Sequence, residues 1–466
     1  MEKSLHPFFN PDGIAVIGAR STPGFGYMLP ANLKENGWGD RTFLVNPNGG
    51  RLHGMPVYTS VHDIYDLVDL AVVIVPAPAV PEVLTDIGES GIRHVILMSA
   101  GFAEAGKAGE HLQETARAVS LRYGLNVIGP NCVGVVNTAN RFSTTELMPE
   151  AFQPGNLAVM AQSGVFGHNL LERFNEYGIS ISKAVTLGNR LVIDEIDVLS
   201  YFHRDPETSA IVMYIEGSAE GRRLKEHLKI VSQDKPVMIL KSGKTEPGKA
   251  ATSSHTGSLS GEDALYEGMF SQTGAIRAKT LQDLVDFARV FPTQPLPKGN
   301  RLGIITGSGS MGALATDYAV EQGLVLAPLS ESIVTAVREG APGWMNIKNP
   351  LDVGPSAQFP KAFAAMMEDP EIDMVLAIIA IPYAAYRHMA SSVTLESFFF
   401  GSSTSLKHRR FDKPLAVAVI SHKHLVDLFK DTLEPSIPVF TTPERAVYAL
   451  AALRRYRQWR TGTADR

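Results

Sequence analysis

One cysteine, Cys132, stands in 466 residues. That excludes an internal disulfide framework and any zinc cluster built on cysteines, and it fits a reducing compartment. Lysine and arginine number 43 against 48 aspartates and glutamates, a net charge of −5. Without an excess of positive charge there is no broad footprint for nucleic acid. Long apolar runs are missing too. The longest, LAVVIVPAPAV at 70–80, is too short for a membrane span and carries two prolines. The opening residues, MEKSLHPFFNPDG, contain no apolar secretory segment. These absences predict a cytoplasmic globular protein with neither a nucleic-acid nor a membrane partner, and the length predicts two to four domains.

What the chain does contain is a recurring pattern. Short β-rich apolar runs end in Gly, Pro or Asn and alternate with helical stretches, which reads as buried parallel strands. A first set comprises GIAVIG (13–18), TFLVNP (42–47), LAVVIVPA (70–77), HVILMSAG (94–101) and LNVIGPN (125–131). After a stretch of weak periodicity at 139–156 comes a second: NLAVMAQSG, ISKAVTLGN, SAIVMYIEG and KPVMILKSGK. FPTQPLPKGN (291–300) closes it, and RLGIITGSG, LVLAPL, MVLAIIAIPY, PLAVAVISH and IPVFTT form a third. The pattern predicts an α/β chain of three consecutive doubly wound units, 1–140, 151–292 and 299–466, with ligand loops at the strand C-terminal ends.

The second and third sets repeat one another. Residues 157–181 align without gaps on 302–326, matching Ser163 to Ser308, Gly164 to Gly309, Gly167 to Gly312 and Gly178 to Gly323. Each copy reads as strand, Ser-Gly turn and helix, so each offers a helix N-terminus to an anion. Ordinary βα turns also favour Ser and Gly, so one copy alone carries little. Gly307–Gly312 fits G-x-G-x-x-G, and GARSTPGFG (18–26) is a looser glycine turn. Neither following strand ends in the acid that a dinucleotide ribose requires, which disfavours a nicotinamide oxidoreductase. Cys132, in GPNCVG, has no histidine beside it in sequence and reads as a small buried hydrophobe.

Two residues suggest a pair. Glu216 ends the strand of MYIEG, where a carboxylate can orient an imidazole. His255, one of thirteen histidines, lies in ATSSHTGSLSG (251–261) among small and hydroxyl residues, a setting that fits either an ordinary surface loop or a mobile loop carrying a nucleophilic ring.

Together, GIAVIGAR, VNPNGG, VPAP, SAGF, IGPNCVG, AQSG, LGN, IEG, SSHTGSL and NPLDVGP, in that order, resemble the α subunit of NDP-forming acyl-CoA synthetases of the succinyl-CoA synthetase superfamily. The resemblance spans nearly the whole chain. It implies an N-terminal Rossmann-like CoA-binding domain and two flavodoxin-like succinyl-CoA-synthetase-type domains. It implies a ligase that interconverts acyl-CoA, ADP and phosphate with carboxylic acid, CoA and ATP. His255 matches the histidine phosphorylated in transit and Glu216 the glutamate that holds it; Ser163–Gly164 and Ser308–Gly309 match the paired helix starts that bind phosphate. Stretches matching CoA-contacting loops are Gly18, Ala19, Arg20 and Ser21; Val45, Asn46 and Pro47; Val75 and Pro76; Ser99, Ala100 and Gly101; and Asn131 with Cys132. Relatives commonly carry lysine at the positions of Phe25 and Asn48, which leaves Arg20 or Arg51 as candidate cations for the CoA phosphates, and they follow LGN with small and acidic residues where this chain has RLVIDEID. No nucleotide-binding ATP-grasp half is recognisable in the three units. The resemblance therefore implies an ATP-grasp β partner in an α2β2 assembly, which supplies ADP or ATP with Mg²⁺. No metal is assigned to this chain. Acetate or another monocarboxylate is the acyl group by resemblance alone. The alternative is a non-catalytic CoA-binding or regulatory protein of the same fold.

Overall fold

The apolar runs become strands at the predicted places. In the computed structural model, which describes residues 4–24, 26–145, 147, 149–256, 261–354, 356–389, 394–402, 404–407 and 409–462, they build three parallel-dominated sheets. The first contains β1 (Ile14–Ile17), β2 (Thr42–Val45), β3 (Gly50–Leu52), β4 (Met55–Tyr58), β5 (Leu70–Val73), β6 (His94–Leu97) and β7 (Asn126–Ile128), in spatial order β3-β4-β2-β1-β5-β6-β7. Its strands are parallel except for the β3–β4 hairpin. The chain leaves β1 toward β2 on one side and returns to β5 on the other. That reversal makes the end of β1 a topological switch point, the usual ligand position in such sheets.

The second sheet contains β8 (Val135–Asn137), β9 (Phe142–Ser143), β10 (Leu157–Ala161), β11 (Ile181–Thr186), β12 (Ala210–Ile215), β13 (Val237–Lys241) and β14 (Ile276–Ala278). Its order is β14-β13-β12-β10-β11-β8-β9. The stretch of weak periodicity supplies β9, which pairs antiparallel with β8, and β8 runs antiparallel along β11. The third contains β15 (Arg301–Thr306), β16 (Val325–Leu326), β17 (Leu351–Asp352), β18 (Met374–Ala380), β19 (Leu415–Ile420) and β20 (Val439–Phe440). Its path β16-β15-β18-β19-β20 repeats the order β11-β10-β12-β13-β14 of the second sheet, with β17 also pairing β15.

The chain divides into two compact units, Met1–Thr280 and Leu281–Arg466, so the first two sheets act as one body. The reason lies at the N-terminus. The short helix His6–Phe9 sinks Phe8 and Phe9 completely, and Phe9 stacks on Tyr201 with ring centroids 5.0 Å apart. The Phe9 carbonyl accepts from the side-chain amides of Asn137 and Asn140 at 3.1 and 3.0 Å. One apolar cluster then runs from Val16, Leu70 and Ile96 of the first sheet to Met160, Val185 and Ile211 of the second. Within the second unit, the helix Leu281–Val290 is held by Arg445, which forks onto the Asp286 carboxylate at 2.8 and 2.6 Å.

The internal repeat is a repeat of structure. The helices Gly164–Glu176 and Gly309–Glu321 each follow a serine N-cap in extended conformation and each precede a left-handed glycine, Gly178 and Gly323. Gly167 and Gly312 let each helix lie close on its sheet: a Cβ on Gly167 would come within 2.5 Å of Thr186 Cγ2 of β11 and 3.0 Å of Ala161 Cβ of β10, and one on Gly312 within 3.1 Å of Thr306 Cγ2 of β15. Among the described residues no helix is long and apolar enough to cross a membrane.

Candidate functional site

The five loops after β1, β2, β5, β6 and β7 share one edge of the first sheet, and hydrogen bonds knit them together. Gly18 N–H donates to Val45 O at 2.9 Å, and Asn46 Nδ2 to Ala19 O at 3.0 Å. Val75 N–H donates to Ser99 Oγ at 3.1 Å, and Asn131 N–H to Ser99 O at 2.9 Å. Gly18 takes φ +90, and a Cβ there would strike Ile74 O at 2.3 Å, so only glycine fits this turn. Arg20, Ser21, Pro47, Pro76 and Ala100 are exposed along this edge, while Pro47 and Asn48 flank the turn that Asn46 Oδ1 caps by accepting from Asn48 N–H at 3.0 Å. Arg20 donates to Thr22 Oγ1 at 3.0 Å, and Arg51 Nη2 to Gly54 O at 2.6 Å. Phe25 lies outside the described residues.

Cys132 is 2% exposed, and its thiol points at Leu97 O, 3.4 Å away. Burial pushes its pKa up to about 12. The sulfur is thus part of the core, as its sequence context predicted, and only the backbone of residue 132 remains to meet a ligand.

The GPNCVG turn is where the two sheets of the first unit meet. Asn189 N–H donates to Pro130 O and Leu191 N–H to Gly129 O, at 2.9 and 2.8 Å. Val133 N–H donates to Thr186 Oγ1 at 2.9 Å. The start of the helix Gly164–Glu176 abuts the same turn, since a Cβ on Gly164 would lie 3.4 Å from Val133 N. Ser163 makes no side-chain cap to that helix. A second link reaches the SAGF loop. Asn189 Nδ2 donates to Glu104 Oε2 at 2.6 Å and to Gln113 Oε1 at 2.9 Å, while Glu104 Oε1 accepts from Gly101 and Phe102 N–H at 2.7 and 3.2 Å. Burial opposes the charge on Glu104, but the hydrogen bonds from Asn189 and the two amides outweigh it and hold its pKa below the ordinary value.

Glu216 follows β12 at the C-terminal edge of the second sheet and is 4% exposed. Its backbone is fixed by Gln162, whose Oε1 accepts from Glu216 N–H at 2.6 Å and from Gly217 N–H at 3.2 Å. Tyr214 OH reaches Glu216 Oε1 at 3.4 Å; burial, with the nearby carboxylate adding to it, raises the tyrosine pKa. Lys241, the register partner of Ile215, ends β13 fully buried, its ammonium 4.7 Å from the centre of the Tyr266 ring, and burial lowers its pKa. Tyr266 OH in turn accepts from Ser218 N–H at 2.9 Å. Gln162, Arg190, Glu195 and Lys241 were not singled out in sequence. The signal was present in two of them, because charged residues inside the LGNRLVIDEID segment break its apolar pattern.

The chain leaving β13 forms the helix Glu246–Thr256, which lies against the turn Ala103–Ala105 of the SAGF loop. The backbone of His255 belongs to the last turn of that helix, where the sequence predicts a loop. The correction has a local cause: Pro247 suits a first helical turn, and Ala250 and Ala251 favour propagation. The side chains of 253–256 and all of 257–260 lie outside the described residues.

In the second unit the corresponding edge differs. Ser308 N–H donates to Thr306 Oγ1 at 2.9 Å, and Ser308 Oγ meets Ser310 Oγ at 3.1 Å. A carboxylate accompanies this helix start: a Cβ on Gly309 would lie 2.8 Å from Asp352 Oδ2. Among the described residues, His62, Asp86 and Glu89 bring donor atoms within 4.8 Å of one another, and all three are exposed.

A CoA-binding domain family matches residues 12–138, and the succinyl-CoA ligase like flavodoxin domain family matches 154–291. Two subunit alpha proteins of Pyrococcus furiosus acetate–CoA ligases [ADP-forming], II and I, are each 36% identical to the chain. The first match covers 96% of this chain and 97% of that protein, the second 98% of each. Among solved structures, the dinucleotide forming acetyl-coenzyme A synthetase 1 of Ca. Korarchaeum cryptofilum, in complex with phosphate and ADP, superposes with a TM-score of 0.85 at 29% identity, covering 99% of this chain and 100% of that one. With domain families, full-length identity and fold in agreement, the chain belongs to the ADP-forming acetate/acyl-CoA ligase family and corresponds to its α subunit.

Proposed function

We propose that this chain, with a nucleotide-binding partner, interconverts acyl-CoA, phosphate and ADP with carboxylic acid, CoA and ATP by way of acyl phosphate and phosphohistidine. The observation that carries the reading is a buried carboxylate, Glu216, held rigidly at a strand C-terminus beside the strand whose chain continues into the helix bearing His255. CoA is assigned to the loop edge of the first sheet, over Gly18–Ser21, Val45–Pro47, Val75–Pro76, Ser99–Gly101 and the backbone at Asn131–Cys132.

The steps follow from the groups. Phosphate oxygen attacks the thioester carbonyl; the C–O bond forms, the C–S bond breaks, and CoA leaves as a thiolate. An imidazole nitrogen of His255 then attacks phosphorus, and the carboxylate leaves with the P–O electron pair. Glu216 accepts from the other ring nitrogen, fixing the tautomer and offsetting the positive charge that develops on the ring. Each of the helix N-termini at Ser163–Gly164 and at Ser308–Gly309 is read, within its own unit, as a source of N–H groups for phosphate. A terminal ADP oxygen then attacks the phosphohistidine phosphorus in the partner and the imidazole leaves with the P–N electron pair; Mg²⁺ bound with the nucleotide would neutralise phosphate charge there.

The name subunit alpha of the matched Pyrococcus proteins supports a second subunit, and the family resemblance reads it as an ATP-grasp β subunit in an α2β2 assembly. The substrate is read as acetate or another monocarboxylate, and the location as the cytoplasm. The test uses the native complex, ATP labelled at the terminal phosphate, and Mg²⁺. The expected result is acid-labile, base-stable label on this chain that vanishes in His255→Ala. Absence of label while the partner is present rejects the phosphohistidine relay.

A further inference from the structure

Two short turns, one carrying Glu216 and the other Arg190, are joined by a closed polar network. Gly217 O accepts from Arg190 Nη1 at 2.7 Å and from Gln162 Nε2 at 2.8 Å. Glu195 Oε2 accepts from the same two groups, at 3.1 and 3.3 Å. Gln162 Oε1 closes the ring by accepting from the amides of Glu216 and Gly217. The members are shielded from water: Gln162 and Glu195 are each 2% exposed, and the Arg190 side chain 13%. Arg190 achieves this reach from a left-handed backbone, φ +60, in a non-glycine residue. Such a conformation is strained in a non-glycine residue and persists where surrounding contacts over-determine it.

We propose that Arg190, Glu195 and Gln162 are positioning residues for phosphoryl transfer: they clamp the Glu216–Gly217 turn so that the carboxylate meets the histidine in one fixed geometry. This rests on the assignment of His255 and Glu216 above. A guanidinium bonded to Gly217 O and an amide bonded on both sides of that peptide leave the Glu216 backbone one orientation. The side chain of residue 216 starts from a fixed Cα and cannot follow a loose loop. Fixed geometry matters because proton-bearing partners of a nucleophile lose rate steeply with small displacements. The same turn also touches the CoA-binding half, since Asn189, adjacent to Arg190, holds Glu104 of the SAGF loop.

The network also bears fold energy, so a change in activity alone does not separate positioning from stability. Removing Arg190 strands the Glu195 carboxylate in the interior, a large penalty that neutralising Glu195 relieves. The experiment therefore compares Arg190→Ala, Glu195→Gln, the double variant and Arg190→Lys in the full chain. Two quantities are measured: thermal midpoint, and the single-turnover rate of label transfer from phosphate-labelled acetyl phosphate to the chain.

The clamp predicts that Arg190→Ala labels roughly 10- to 100-fold more slowly, with apparent KM for acetyl phosphate within about twofold of the unchanged chain. In the double variant the thermal midpoint recovers, but the rate stays low because Gly217 O has lost the Arg190 donor and keeps only Gln162 Nε2. Arg190→Lys, which keeps one donor, recovers part of the rate. If rate and midpoint recover together in the double variant, the network is structural only and the proposal is overturned. Equal rates in all variants overturn it as well. If the unchanged chain itself takes no label, the phosphohistidine reading fails, and the clamp falls with it. Should Arg190→Ala not fold, Arg190→Lys and Glu195→Gln carry the comparison.

Discussion

Gly188, in the LGN turn, tests how tightly the two sheets of the first unit are joined. Its φ is +56, and a Cβ there would lie 1.9 Å from Pro130 O and 2.6 Å from Asn131 O. Both obstacles are backbone atoms of the GPNCVG turn and cannot rotate away. Gly178 provides the matched control: its φ is +64, with nothing within 4 Å of the added carbon. Alanine at either site meets the left-handed penalty of about 1–2 kcal/mol, partly offset by about 0.4–1 kcal/mol from a stiffer unfolded chain. Only Gly188→Ala must also push two backbones apart, which adds about 1–3 kcal/mol by analogy with overpacking. The difference between the variants isolates the clash. At roughly 2 °C per kcal/mol for a body of this size, Gly188→Ala melts about 2–6 °C below Gly178→Ala. Calorimetry of the full chain reads this directly, and titration with CoA gives a second readout, because the displaced turn carries Asn131. Equal melting of the two variants, with CoA affinity unchanged, refutes the close approach of LGN to GPNCVG.

Three further outcomes follow from buried groups. Cys132, raised from an ordinary value of 9.0 to about 12, stays protonated in the folded chain. Alkylation at pH 8 therefore labels it only on unfolding, and its contribution to stability, full below about 9, is lost as pH rises toward 12, a loss absent in Cys132→Ala. Glu104 has the opposite sign: its folded pKa lies below the ordinary 4.5, so the stability it adds is present above that value and disappears as pH falls below it. Urea midpoints of the parent and Glu104→Gln should converge in acid and separate near neutrality. Lys183, 3% exposed, bonds to Asp205 at 2.9 Å and Glu207 at 2.6 Å. Lys183→Met strands the buried Asp205 carboxylate and should cost about 3–5 kcal/mol in chemical denaturation, reduced toward zero when Asp205→Asn accompanies it.

Local sequence determined the strands, the repeat and the loop edge. Apolar β-branched runs such as LAVVIV and MVLAIIA can bury both faces only in a covered parallel sheet, and the Ser-Gly turn after β10 and β15 starts a helix because serine suits an N-cap and glycine a close approach. The placing of LGN and IEG at one edge of the second sheet also followed, because parallel strands bring such loops together, whereas the meeting of LGN with GPNCVG of the first sheet did not. What sequence left open depended on contacts far apart along the chain. Phe8 and Phe9 lie ahead of the first strand in sequence, and only burial against Tyr201 and Phe202 makes them the pin that fuses two sheets into one unit. Gln162, Arg190 and Glu195 look like a turn glutamine and surface charges until folding closes them around Gly217. The two Ser-Gly helix starts are alike in sequence, yet one abuts the GPNCVG backbone and the other the Asp352 carboxylate. Periodicity reports which face a residue presents to its own element. Which partner meets that face is decided by the packing of distant segments, and that is a property of the tertiary structure alone.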